Sequence, residues 1–176
     1  MEVLDNVVDY HIAHEGISRL EKIFYCHKHF LGIELSEIEL AELAGKYSSL
    51  VKQAVIECDS VPGALNFLQS YCATLPMFLV SGTPEGELKE IIKERGLNDY
   101  FTSVHGSPRR KAPIVNEQIQ LYGFDRKRCL FVGDAKADYE AATETGIVFI
   151  GRVAQGCVNL FPNGTKIIKD LTKLVV

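Results

Sequence analysis

Three short stretches of this sequence hold residue types that could handle a phosphate ester. The first is Ser81-Gly82-Thr83-Pro84, which follows the apolar run Met77–Val80. A hydroxyl and a glycine at the end of a buried strand expose an O–H donor and backbone N–H groups, the groups that hold phosphate oxygens. Thr83 before Pro84 also has the form of a helix N-cap with proline at the first helical position, so a plain capped turn is the alternative. The second stretch ends in the consecutive cations Arg109, Arg110 and Lys111. A lysine held over a site neutralises charge that builds on a transferring phosphoryl group; the alternative is a solvated basic loop. The third is Gly133-Asp134-Ala135-Lys136-Ala137-Asp138, after the apolar run Cys129–Val132. Two carboxylates leaving a strand for a helix are ligands of the kind magnesium takes, with waters completing its octahedron. Helix capping is the competing use for either aspartate.

The elements that must position these stretches can be read from periodicity. Apolar runs of strand length fall at Met77–Val80, Thr102–His105, Cys129–Val132 and Val148–Ile150. Helical patterns lie at Pro62–Tyr71, Pro84–Arg95, Ala112–Tyr122 and Ala137–Thr145. This alternation predicts an α/β fold: a Rossmann-like parallel sheet with helices on both faces. Ligands of such sheets bind outside the carboxyl ends of the strands, which is where all three stretches lie. The N-terminal third differs. Leu4, Val7, Val8, His11 and Ile12 recur at helical spacing. Ser18-Arg19-Leu20-Glu21 and Ser36-Glu37-Ile38-Glu39 have the form of capping boxes, the second with Leu35 and Leu40 placed for a hydrophobic staple. The expectation is an N-terminal all-helical cap over residues 1–57 and an α/β core over 58–176, with Gly151–Gly164 a surface loop.

Composition narrows the function classes. At 176 residues, 47% apolar and 24% charged, the chain has the make-up of an ordinary globular protein. A net charge of -4 argues against a general nucleic-acid binder. No apolar run approaches the roughly 20 residues of a membrane helix, so no membrane partner is expected. The N-terminus has no basic-then-apolar signal pattern. Five scattered cysteines without a Cys-x-x-Cys pair read as small buried hydrophobes in a reducing cytoplasm. His11, His14, His27 and His29 lack zinc-helix spacing and read as surface or half-buried cap residues. Arg19 reads as a solvated helix start, or as a side chain pointing at substrate. Arg126-Lys127-Arg128 reads as a solvated loop.

Strand-Ser-Gly-Thr-Pro, then a lysine opening a helix, then strand-Gly-Asp-x-x-x-Asp, in this order, resembles the haloacid dehalogenase superfamily. The resemblance implies that Ser81 and Gly82 bind the phosphoryl group. It implies that Lys111 stabilises that group and the nucleophile, that Asp134 is a catalytic magnesium ligand and that Asp138 supports the metal shell. Residues 1–57 look like the helical cap that many members insert after their first motif, and Val61-Pro62-Gly63-Ala64 resembles the return to the core. Members open with an apolar strand ending in Asp-x-Asp-Gly-Thr, which supplies nucleophile and general acid/base; this sequence contains no such stretch. Leu4–Asp9 has the wrong spacing, and Cys58-Asp59-Ser60 offers a single aspartate.

The implied function is magnesium-dependent hydrolysis of a small phosphorylated metabolite through an aspartyl-phosphate, with the chain as given inactive and its magnesium site weak or absent. A catalytically dead phosphate- or partner-binding protein is the alternative, and a truncated gene product another. A 2-haloacid dehalogenase is disfavoured, because that reaction requires no metal. In the family the nucleophile strand is central. The Met77–Val80 and Leu130–Val132 strands are therefore expected not to pair with each other, and the incomplete sheet is expected to promote self-association.

Overall fold

A computed structural model describes residues 2–176. The N-terminal third folds as α1 (Glu2–Ala13), α2 (Arg19–Cys26) running on into a π-helical turn at His27–Leu31, and α3 (Glu37–Glu57). Gly32, at φ 68°, takes the left-handed conformation that ends the π turn. The Ser36 capping box forms as expected: Glu39 N–H donates to Ser36 Oγ at 3.3 Å, and Ser36 N–H donates to Glu39 Oε2 at 2.9 Å. The Ser18 box does not form, because Ser18 starts α2 without a side-chain cap bond; its hydroxyl is buried elsewhere.

The helical lobe buries few residues outright and relies on ring stacking. His14, Tyr10, Tyr25 and His29 form a continuous pile between α1 and the α2–π segment, with centroid spacings of 4.0, 4.0 and 4.2 Å. Phe30 packs edge-on against both tyrosines. These histidines are thus used as aromatic surfaces. His14 Nδ1 also bonds the Tyr10 carbonyl at 2.9 Å.

Beyond α3, strand and helix alternate. The order is α4 (Ala64–Tyr71), β1 (Phe78–Pro84), α5 (Glu85–Glu94), β2 (Ser103–Ser107), α6 (Lys111–Tyr122), β3 (Leu130–Gly133), α7 (Lys136–Thr145), β4 (Val148–Arg152) and β5 (Ile167–Ile168). All pairing is parallel, as the near-continuous apolar runs predict. The pairing divides into two sheets, β1-β2 and β3-β4-β5. β1 and β3 are not hydrogen-bonded to each other, in line with the expectation from the sequence. Helices α5 and α6 pack on β1 and α7 packs on β3 and β4, while α6 and α7 touch and join the two half-sheets. The core lies along those helices, in Leu88, Ile91 and Ile92 of α5, Ile114 and Ile119 of α6, and Ala141 and Ala142 of α7.

Several local readings need correction. Thr83 is not a cap: β1 continues to Pro84, which itself precedes the first residue of α5. None of the five cysteines is buried, and Cys58 and Cys157 are exposed. Arg126 is half-buried and donates to Asn116 Oδ1 at 2.8 Å and to the Thr145 carbonyl at 2.5 Å. The long loop after β4 is anchored by buried Phe161, which packs on Phe149 and reaches Gly151, and it leads into the short strand β5. Arg95, following α5, donates to the carbonyls of Val55, Ile56 and Cys58 at 2.7, 2.9 and 2.8 Å. That satisfies carbonyls which a helix end leaves without partners.

Candidate active site

The ends of β1, β2 and β3 meet the turn between α1 and α2. At the end of β1, Ser81 Oγ accepts the Thr83 N–H at 3.2 Å and donates to Thr83 Oγ1 at 3.2 Å. Gly82 beside it has no room for a side chain, since a Cβ there would lie 2.7 Å from the Ile17 carbonyl oxygen and 2.9 Å from that of Gly16. Gly16 itself has φ 81°, and a Cβ there would lie 2.6 Å from Ala135 Cβ and 3.2 Å from Lys111 Nζ. The Gly16–Ile17 turn therefore touches β1 on one side and the β3–α7 junction on the other. Both close approaches depend on glycine.

Lys111 opens α6 and Asp138 lies in the first turn of α7. Their side chains are 10% and 7% exposed, and Nζ lies 2.5 Å from Asp138 Oδ1. The second carboxylate oxygen of Asp138 accepts the Ala135 N–H at 3.0 Å. Gly133 at the end of β3 permits this reach, because a Cβ there would lie 2.5 Å from Asp138 Cγ. Both oxygens of Asp138 are thus committed to the lysine and to the helix start.

Ser81, Gly82 and Lys111 line one cavity of about 130 Å³. Ser18 and Ser107 also line it; both are buried, and neither hydroxyl has a hydrogen-bond partner among the described residues. Buried polar atoms are rarely left so. Asp134 lies outside this lining. Its side chain is 65% exposed, with one oxygen 3.6 Å from Arg152 Nη1. Of the residues singled out from sequence, the structure gathers Ser81, Gly82, Lys111 and Asp138, the last through the lysine, and leaves Asp134 outside the cavity lining. Among the described residues no group of three or more His, Cys, Asp or Glu side chains is placed to hold a metal ion.

A second cavity of about 260 Å³ shares Ser81, Gly82, Gly16 and Ile17 with the first and extends towards the helical lobe, where His11, Lys22 and Tyr47 line it. Arg19 lies on its wall but is neither solvated nor free. It donates to Glu87 Oε2 and Oε1 at 2.7 and 3.0 Å, bonds Ser48, and stacks over Tyr47 at 4.6 Å. Burial pushes the Glu87 carboxyl up, but the bonds from Arg19 and Ser48 and the charge of Arg19 outweigh it, so its pKa lies below the ordinary carboxylate value.

Sequence reasoning missed the Gly16–Ser18 turn, Ser107 and Glu87. The available signal was Gly16 between two helical patterns. No local pattern marks Ser107 or Glu87, whose roles come from tertiary contact.

The family model for haloacid dehalogenase-like hydrolases matches residues 18–152. A phosphoglycolate phosphatase from Neisseria gonorrhoeae (strain ATCC 700825 / FA 1090) is 29% identical over 82 residues, an alignment that takes in 44% of this chain and 35% of that protein. Two solved structures share the fold. One is a HAD hydrolase of family IA, variant 3, from Entamoeba histolytica HM-1:IMSS, with TM-score 0.72 and 17% identity over 87% of this chain and 74% of that one. The other is a predicted phosphoglycolate phosphatase from Haemophilus somnus 129PT, with TM-score 0.70 and 18% identity over 97% and 84% of the two chains. No helix among the described residues is long and apolar enough to cross a membrane.

Proposed function

This chain belongs to the haloacid dehalogenase-like hydrolases, and on that premise we propose that its site takes the phosphoryl group of a small phosphorylated metabolite, in the manner of a magnesium-dependent phosphate monoester hydrolase. The observation that most supports this is the single cavity lined by Ser81 and Lys111, with the lysine held by a buried carboxylate. Lys111 sets a fixed positive charge against the phosphoryl oxygens, where charge accumulates during transfer. The Ser81 hydroxyl can turn from Thr83 to donate to one oxygen, and the orphan hydroxyls of Ser18 and Ser107 supply two further donors.

The carboxylates divide their work. Asp134, mostly exposed and paired only loosely with Arg152 at 3.6 Å, is the carboxylate that would meet magnesium, whereas Asp138 keeps Lys111 in position and would only border the metal shell. One protein carboxylate with phosphate oxygens and water suits magnesium, though as a weak site. When bound, the metal supplies further neutralisation of the phosphoryl oxygens.

The sequence contains no Asp-x-Asp-Gly-Thr stretch to form the covalent intermediate. That favours a second reading, in which the chain as given binds phosphate without turning it over. Both readings are tested by titrating inorganic phosphate while following amide NMR shifts, alongside an aryl phosphate assay with magnesium. Phosphate should perturb residues 81–83 and 107–112 and lose its effect in Lys111→Met, and turnover should be negligible. Phosphate that binds equally well to Lys111→Met would remove the proposal, and robust hydrolysis abolished by Asp134→Ala would remove the inactive reading.

A further inference from the structure

Asp134 has a neighbour that phosphoryl binding leaves without a task. β3 ends at Gly133 and β4 at Arg152, and Gly133 is in parallel register with Gly151. Asp134 and Arg152 are therefore the next residues on adjacent strands, at the carboxyl edge of the sheet. Their side chains come within 3.6 Å, and among the described residues each is the other's one ionic partner. The two differ in freedom. Arg152 is in register with Ile168 of β5, and the Val153 N–H that follows it donates to the Ile168 carbonyl at 2.9 Å. Its side chain is 25% exposed, and its buried Nε N–H has no acceptor among the described residues. Asp134 stands on the turn into α7, open to solvent. The guanidinium is thus the fixed charge of the pair, and it cannot be relieved by losing its proton.

A divalent cation that reaches Asp134 must share the carboxylate with that charge. At a few ångströms and near-aqueous screening, repulsion between a unit charge and a doubly charged ion weakens binding about tenfold. The same guanidinium cancels a carboxylate that otherwise repels a phosphoryl dianion in the cavity lined by Ala137, three residues on. We infer that Arg152 is the built-in counter-ion of Asp134: it holds magnesium weak and lets phosphate approach without metal. This rests on the phosphoryl-binding reading of the first cavity. Arg152 is then a positioning residue, acting through Asp134.

Magnesium and inorganic phosphate, each titrated into the full chain by calorimetry, test this. Arg152→Gln should bind magnesium about tenfold tighter than the native chain, and Asp134→Asn should remove magnesium binding from both backgrounds. Without metal, Arg152→Gln should bind phosphate more weakly than the native chain, and magnesium should restore it; native phosphate affinity should barely respond to magnesium. Arg152→Lys, which keeps the charge, should behave as native. Equal magnesium affinity in the native chain and Arg152→Gln would overturn this inference alone, as would a lysine variant that behaves like the glutamine variant. Magnesium bound by neither would remove Asp134 as its ligand, and this inference too. Phosphate bound by no form, with or without magnesium, would overturn the phosphoryl-site reading and this one with it.

Discussion

Lys111 Nζ and Asp138 Oδ1, 2.5 Å apart and nearly enclosed, form an ion pair that crosses from one half-sheet to the other. Lys111 begins the helix that packs on β1; Asp138 belongs to the helix that packs on β3 and β4. The pair therefore also ties the two halves of the core together, so the role proposed for Lys111 cannot be probed without touching stability. Lys111→Met leaves a buried carboxylate without its partner and should lower unfolding free energy by about 3–5 kcal/mol. The Lys111→Met/Asp138→Asn double variant should recover part of that stability without recovering phosphate binding. Urea titrations of the three variants check this; a double variant no more stable than the single would show that the pair is not coupled.

Arg19 and Glu87 tie the helical lobe to α5 in the same manner, and here acid provides the test. The Glu87 pKa is lowered in the folded state, so the contact adds stability above the unfolded carboxylate pKa, about 4.3. That increment should decline as pH falls below about 4.3 and vanish once the pH passes the folded value. Melting curves from pH 7 to 3 should show a smaller acid loss in Glu87→Gln than in the native chain. Parallel curves for the two would count against it.

Gly82→Ala forces a methyl against the Ile17 carbonyl oxygen, and Gly16→Ala places one against Ala135 while retaining a positive φ. Residues other than glycine in that conformation cost about 1–2 kcal/mol, before any clash is counted. Both variants should lift the α1–α2 turn and raise hydrogen exchange at residues 14–19, with little change in α6. Unaltered exchange in the turn would mean that the close approach is not needed.

β1 and β3 each pair along one edge only, among the described residues. Unpaired strand edges recruit further strands, so the purified chain should associate with rising concentration. Sedimentation velocity over a hundredfold range checks this; a monomer throughout would show that side chains shield both edges.

The alternation of strands and helices was legible because each core strand here is a short apolar run and each core helix begins close to its signal. Ser81, Lys111 and Asp138 could be located because each lies at or beyond the carboxyl end of a parallel strand, whichever of the two sheets that strand joins. The particular work of Asp138 could not, since choosing between a metal and a lysine depends on where α6 starts relative to α7. Arg19 shows the limit most clearly. Nothing near it in sequence announces Glu87, which lies in the core lobe, and its capping-box context pointed to a solvated helix start. The stacked rings of Tyr10, His14, Tyr25 and His29 likewise arise from two helices whose mutual rotation no local pattern encodes.

The Gly16–Ile17 turn is a wall common to both cavities. A molecule lying across the Ser81–Gly82 corner has that turn above it, and the turn belongs to the hairpin of α1 and α2. On the proposed phosphoryl-binding reading, escape would wait on a movement of the hairpin more than on the rupture of any one contact. Dwell time would then be a property of the helical lobe, set by its stacked rings and by the Arg19–Glu87 clasp. Substitutions in that ring stack, far from any phosphate oxygen, would quicken departure while leaving the chemistry of the corner intact.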